Sequence, residues 1–163
     1  MKDRKELLAA QFAACTNVPN WFVPLEQAVK GLNAEQAAWN DVPGANSIWS
    51  IVYHLTFWNE RYLVRFNGNT PTDQVENNDV TFDVSNVDIT EENWNTAVNR
   101  LMSSLLDWQD AILQADDAKL DSPVIDGEKG EWWDTIANIA IHTSYHIGQI
   151  VDIRKRQGSW NQQ

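Results

Sequence analysis

The amino-acid sequence predicts an all-α fold, a four-helix bundle in one domain. Four segments carry apolar residues at intervals of three and four, the period of a helix with one buried face. Residues typical of helix ends bound most of these segments. The length of 163 residues is enough for one sizeable core and short for two. We therefore expect a single domain over residues 1–163.

The first helical segment runs from about residue 3 towards residue 30. Pro19 and Pro24 are expected to interrupt it, because proline removes a backbone donor and clashes with the preceding turn. In "GLNAEQAAW", Asn33 and Gln36 have the spacing of a capping box. This spacing predicts one short helical turn.

The second helix is expected to begin at Ser47, a good N-cap, and to end at Asn67-Gly68. Its buried stripe is predicted to consist of Ile48, Ile51, Leu55, Trp58 and Tyr62. The third helix is expected to begin after Thr90 and to end near Gln114. The fourth runs from about residue 132 to 157, with basic residues in its last turn and a terminating glycine.

Two long connections join these helices. Residues 68–89 are polar and acidic, and a bundle of sequential neighbours would need only about 2 to 8 residues there. This length permits a crossover. Residues 115–131 form the second connection, in which "VIDGEK" could form a short hairpin because Asp-Gly suits a tight turn.

Composition excludes several classes of protein. Twelve Lys and Arg stand against 23 Asp and Glu, a formal charge of −11 that should repel nucleic acids and anionic membranes. No apolar run approaches the roughly 20 residues that cross a bilayer. Cys15 is the only cysteine, so intramolecular disulfides are impossible and a cytoplasmic location is expected.

The chain contains only three histidines, and all lie on predicted helices. His142 and His146 are four residues apart in "NIAIHTSYHIGQIVDIRK" and share one helix face. His54 of the second helix could supply a third imidazole if the two helices are neighbours. Three imidazoles suit zinc, nickel, iron or copper and leave room for water or substrate. The alternative is three histidines hydrogen-bonded to backbone and water.

The residues around the histidines narrow the kind of site. No carboxylate lies three or four positions away, so the Glu-x-x-His pairs of di-iron bundles are absent and one metal is favoured. Thr143 stands where the metalloprotease motif His-Glu-x-x-His has its glutamate. The catalytic group would then be a metal-bound water or thiolate, activated largely by the metal itself.

Other side chains are candidates for holding a ligand imidazole or forming a pocket. Asn138 and Gln149 project near the same face, although both could instead be solvent-facing or helix-packing amides. Trp58 and Tyr145 are candidates for the pocket. The tryptophans near the two helices could form aromatic walls or belong to the core: Trp49, Trp58, Trp132 and Trp133.

Two histidine segments, "SIWSIVYHLTFWNERYL" and "IHTSYHIGQIVDIRK", together with "GLNAEQAAW" and "PGANS", resemble the DinB-like (DinB/YfiT-type) family of metal-dependent enzymes. The resemblance covers residues 25–157. It implies a bundle of up-down-down-up topology, a divalent metal, nickel or zinc, on His54, His142 and His146, and a homodimer.

Characterised relatives in that family include thiol transferases that use low-molecular-weight thiols. The resemblance therefore implies a metal-dependent thiol S-transferase or related detoxification enzyme that joins such a thiol to a small electrophile. Two alternatives remain open at this point. One is a non-catalytic stress or interaction protein with a structural metal, and the other is a metal-dependent hydrolase.

Overall fold

A computed structural model describes residues 3–72, 75–125 and 130–160. Its regular structure is helical within these ranges, apart from one isolated bridge. In chain order the elements are α1 (Arg4–Thr16), α2 (Leu25–Val29), α3 (Ala34–Ala38), α4 (Ile48–Phe66), a 3-10 helix (Asn78–Phe82), α5 (Glu91–Gln114), α6 (Asp117–Leu120) and α7 (Trp132–Arg156).

Local capping explains where the long helices begin and end. The Ser47 hydroxyl accepts a hydrogen bond from the first turn of α4, and Thr90 does the same for α5, as predicted. Gly68 and Gly158 follow α4 and α7 with φ values of 80° and 73°. Such left-handed positions favour glycine, so the predicted stops are confirmed.

The first helical segment is interrupted as predicted, over the stretch that contains Pro19 and Pro24. The helix α1 ends at Thr16, and Pro24 stands at the N-cap of the separate short helix α2. Asn33 and Gln36 form both hydrogen bonds of a capping box at the start of α3. The short turn expected there is confirmed.

The four long helices form a bundle. Both α1 and α4 pack against α5 and α7, which places α1 and α4 on one diagonal and α5 and α7 on the other. The prediction of a four-helix bundle is therefore confirmed.

Contacts along the helices give their relative directions. Early and late residues of α4 contact early and late residues of α5, as in the pairs Trp49–Trp94 and Phe66–Trp108. By contrast, Phe66 at the end of α4 contacts Trp132 at the start of α7. In these pairs α4 runs parallel to α5 and antiparallel to α7, and the complete up-down-down-up order stays a prediction. A parallel α4 and α5 explain the long connection between them.

The hairpin predicted at "VIDGEK" falls largely on residues 126–129, outside the described residues. On either side of that stretch Pro123 and Glu131 form an antiparallel bridge. Among the helices of the described ranges, none has the length and apolar character needed to cross a membrane.

Candidate metal centre

The chain's three histidines meet where α4 and α7 cross. The Nε2 atom of His142 lies 3.0 Å from Nε2 of His54 and 3.0 Å from Nε2 of His146. His54 and His146 are 2% and 6% exposed, and His142 is half-buried. The spacing of four residues puts two imidazoles on one face of α7, and the packing of α4 on α7 brings the third.

A threonine of the connection 67–90 sets the tautomer of His54. The Thr81 hydroxyl donates to the carbonyl of Asn78 at 2.6 Å, so its oxygen can act only as acceptor towards His54 Nδ1, also at 2.6 Å. The proton of the neutral His54 ring therefore sits on Nδ1. Its Nε2 lone pair faces the other histidines.

Gln149, three residues further along the same helix, gives His146 the same tautomer. Its Oε1 atom lies 2.7 Å from Nδ1 of His146, while its Nε2 donates to the Tyr145 hydroxyl at 3.0 Å. With the amide in this orientation, His146 Nδ1 carries the proton and Nε2 is free to bind. Hydrogen bonds of this kind hold metal-ligating histidines in place.

These tautomers can be tested against the chemistry of a metal ion. The Nε2 lone pairs of His54 and His146 both face Nε2 of His142. A single proton on His142 Nε2 could form a well-aligned hydrogen bond to only one of them. One cation satisfies all three nitrogens. Nitrogens about 2.1 Å from a metal are separated by about 3.0 Å at right angles and about 3.4 Å at tetrahedral angles. The two observed 3.0 Å separations from His142 fit such an ion, and the three ligand atoms all lie within 4.8 Å of one another.

Burial keeps the three rings neutral. Burial, together with the neighbouring histidines, lowers the pKa of His54 to about 3. Burial and the proximity of His146 lower the pKa of His142 to about 4. The pKa of His146 is also lowered by burial, although its hydrogen bond with Gln149 opposes the shift. Neutral imidazoles at ordinary pH are the form that binds metals.

Aromatic rings enclose the His54 side. The Phe82 ring stacks on the His54 imidazole with 3.8 Å between centroids and 8° between planes. Trp58 meets the same imidazole edge-on and donates from its indole nitrogen to the Asn78 side chain. The Tyr145 ring packs edge-on against His146. The pocket residues predicted at Trp58 and Tyr145 do adjoin the cluster.

Other predicted pocket residues lie elsewhere. Asn138 is exposed, and its amide donates to the carbonyl of Asp134 one turn back, which is the solvent-facing alternative rather than a contact to an imidazole. Trp49 and Trp132 are core residues, 2% and 1% exposed. Trp133 is 38% exposed on the surface.

The sequence did not indicate Thr81 or Phe82. They lie in a stretch whose acidic composition is typical of a solvated loop, yet Thr81 is only 2% exposed. A signal was present in "NNDVTF", where Asn77 caps the 3-10 helix by accepting from Asp79 and Val80. A capping residue followed by apolar residues indicates a packed turn.

A cavity of about 870 Å³ lies between α4, α5 and the connection that joins them. Tyr53 and Phe57 of α4 line it, as does Val80, and the histidines are not among its described lining residues. Val80 immediately precedes Thr81. A single turn of the connection therefore borders both the cavity and the histidine cluster.

Comparison with known proteins agrees with the fold. The model of the DinB superfamily matches residues 24–150, well over half of the chain. The chain belongs to the DinB superfamily. The resemblance drawn from the two histidine segments is thus confirmed, and DinB membership covers α2 to most of α7.

A solved structure shares the DinB bundle. It is YfiT from Bacillus subtilis, described as a probable metal-dependent hydrolase with an unusual four-helix bundle topology. The TM-score is 0.67 at 17% identity, and the match covers 97% of this chain and 87% of YfiT. At this identity the likeness shows the fold. None of the curated proteins gives a significant match.

Proposed function

We propose that this DinB protein is a divalent-metal-dependent enzyme whose ion is held by His54, His142 and His146. The observation that carries the proposal is the convergence of three Nε2 atoms, with two Nδ1 protons directed away from the cluster. The description of YfiT as a probable metal-dependent hydrolase supports it. Three nitrogen ligands suit zinc or nickel.

The ligand set determines the chemistry available. A divalent ion held there supplies Lewis acidity, lowering the pKa of a water that it binds and deprotonating a bound thiol outright. The Nδ1 partners of His54 and His146 are a hydroxyl and an amide, so neither partner adds a negative charge to the site. The half-buried His142 leaves one side of the cluster open to solvent.

Thiol transfer is the reaction we favour. Among the described residues, the group able to hold a metal contains histidines and no carboxylate that could serve as general base. A bound divalent ion would lower the pKa of a thiol enough for its proton to pass to solvent, so a thiol would need no such base, whereas attack by water would profit from one. We therefore propose a thiol S-transferase that joins a low-molecular-weight thiol to a small electrophile. The cavity beside α4 has room for the organic part of a substrate.

Hydrolysis is the second candidate, favoured by the description of YfiT. Three histidines with an open position also suit metal-assisted attack by water. The two reactions differ in what they require. Transfer needs an added thiol and consumes it, and hydrolysis proceeds in its absence.

Metal analysis followed by a reaction screen tests the proposal. We expect about one equivalent of nickel or zinc in the purified, tag-free protein, and electrophile turnover that requires an added thiol. Turnover of an activated ester without thiol would instead select the hydrolase. Metal loading that raises the melting temperature, with no response of a cobalt-substituted site to thiols or esters, would indicate a purely structural ion.

Two expectations from the sequence remain predictions beside this proposal. The homodimer is checked by sedimentation or light scattering at several protein concentrations. The cytoplasmic location is checked by fractionation of cells that produce the full-length protein.

A further inference from the structure

One turn of the connection between α4 and α5, residues 77–82, which we call the crossover turn, is bound to His54 on two sides. Thr81 accepts the Nδ1 proton of His54, and Phe82 stacks on the face of the same ring. The indole nitrogen of Trp58, on α4, donates to the Asn78 side chain and so adds a second hydrogen bond between α4 and the crossover turn. The histidine is thus held by residues far from α4 in the sequence.

The threonine hydroxyl has no freedom to reverse its role. Its proton is used by the Asn78 carbonyl at 2.6 Å, within the crossover turn itself. Only its lone pair remains for His54, and Thr81 is 2% exposed, so water cannot easily replace it. His54 is therefore the donor and Thr81 the acceptor of their hydrogen bond, because the crossover turn already uses the Thr81 proton.

Removing the hydroxyl would change which nitrogen of His54 carries the proton. Valine has the shape of threonine but offers no acceptor, so a proton on Nδ1 would be buried without a partner. On Nε2 the same proton could be donated to His142 Nε2 at 3.0 Å. The tautomer protonated on Nε2 would therefore be preferred. Its proton occupies the nitrogen that should bind the ion.

We propose that Thr81 is a positioning residue that selects the metal-binding tautomer of His54, and that the crossover turn is thereby coupled to the metal centre. An ion on Nε2 makes the Nδ1 proton a stronger donor, so metal binding and the order of the crossover turn support each other. This inference rests on the proposed metal site and adds a ligand-orienting role for the acidic connection.

Metal affinity gives the first test, with zinc as the probe and a competing chelator as reporter. We expect Thr81→Val to bind zinc about 10- to 100-fold more weakly than the parent, the usual effect of losing such a partner. Thr81→Ser keeps the hydroxyl and should restore binding to within about threefold. Thr56→Val is the matched control, because Thr56 is buried on α4 and bonds only the Val52 carbonyl one turn back.

The tautomer itself gives the second test, and it needs no metal. Long-range proton–nitrogen correlation spectra of the metal-free protein should show His54 protonated on Nδ1 in the parent, in Thr81→Ser and in Thr56→Val. In Thr81→Val the proton should move to Nε2. An unchanged tautomer in a folded Thr81→Val protein, judged by circular dichroism, would overturn the inference.

The two tests separate this inference from the proposed function. A parent that binds no zinc while its His54 tautomer depends on Thr81 would refute the proposed metal enzyme and retain the positioning role. A Thr81→Val variant that binds zinc as well as the parent does would refute the positioning role and retain the metal site.

Discussion

The helices α4 and α7 contact each other in two chemically opposite ways. Near the end of α4, the Phe66 ring meets Trp132 at 5.0 Å and 81°, an edge-to-face pair in which both side chains are buried. About three turns earlier along α4, the same two helices meet through His54, His142 and His146.

The difference between these contacts indicates which one serves stability and which one serves function. Aromatic burial is favourable without any partner from solution. The histidine contact buries polar rings, lowers their pKa values and directs lone pairs towards one another. Such a contact is costly without a cation, and the proposed metal ion would explain its place in the bundle.

The largest effect is expected from removing two ligands together. The double variant His54→Ala, His142→Ala should fall from about one equivalent of bound metal to none, as measured by elemental analysis. Asn138→Ala is the control on the same helix, since Asn138 bonds only the Asp134 carbonyl in the structure and should leave metal content unchanged. Full metal content in the double variant would show that the ion binds elsewhere.

The aromatic contact should respond in the opposite way. Trp132→Ala should lower the free energy of unfolding by about 3 to 5 kcal/mol, because it leaves a large cavity in the core. Urea denaturation measures this change, and the variant's metal content should match the parent's under folding conditions. Trp133→Ala, on the surface, should change the free energy by less than about 0.5 kcal/mol.

If instead Trp132→Ala abolished metal binding in a folded protein, the two contacts would not be independent. The assignment of stability to the aromatic contact and of metal binding to the histidine contact would then be wrong.

A smaller effect is expected from the hydrogen bond that orients His146. Gln149→Leu removes the acceptor at Nδ1 and should weaken zinc binding about 10-fold, or about 1.4 kcal/mol. Tyr145→Phe removes only the hydroxyl that the Gln149 amide contacts and should have less effect. Competition with a chelator measures both, and equal losses would show that the phenol, rather than the amide, fixes the ring.

A further prediction concerns pH. Folding lowers the pKa of His54 to about 3 and of His142 to about 4, from an ordinary value of 6.5. Between pH 6.5 and 4 the unfolded chain therefore binds more protons, so the free energy of unfolding of the metal-free protein should fall as pH falls.

The part of this window above about pH 5 isolates the histidines, because the carboxyls whose pKa is lowered have an ordinary value of 3.8 and bind protons in the unfolded chain only below about pH 5. Urea denaturation at several pH values measures the slope. The slope should flatten in the double variant His54→Ala, His142→Ala. A parent whose stability is constant from pH 6.5 to 4 would contradict the lowered values.

Much of the bundle was predictable because its signals are local. Ser47 and Thr90 cap α4 and α5 through hydrogen bonds to residues three positions away, and Pro24 stands at the N-cap of α2. The pair His142 and His146 was likewise visible, since a spacing of four places both on one face. Such effects need only neighbouring residues.

The roles of distant residues were not predictable in the same way. Gln149 and Asn138 were equal candidates by spacing, and side-chain orientation brought only the first to an imidazole. Thr81 gave no signal as a partner of His54, because the hydrogen bond joins residues 27 positions apart.

The sequence by itself determined the helices, their ends and the three imidazoles, because capping, proline and helical period act over a few residues. Tertiary structure alone decided that Trp132 belongs to the core while Trp58 adjoins the cluster. It also decided that the acidic connection returns to α4 and sets the tautomer of His54. Both outcomes depend on how elements far apart in the chain pack, and no local pattern encodes that packing.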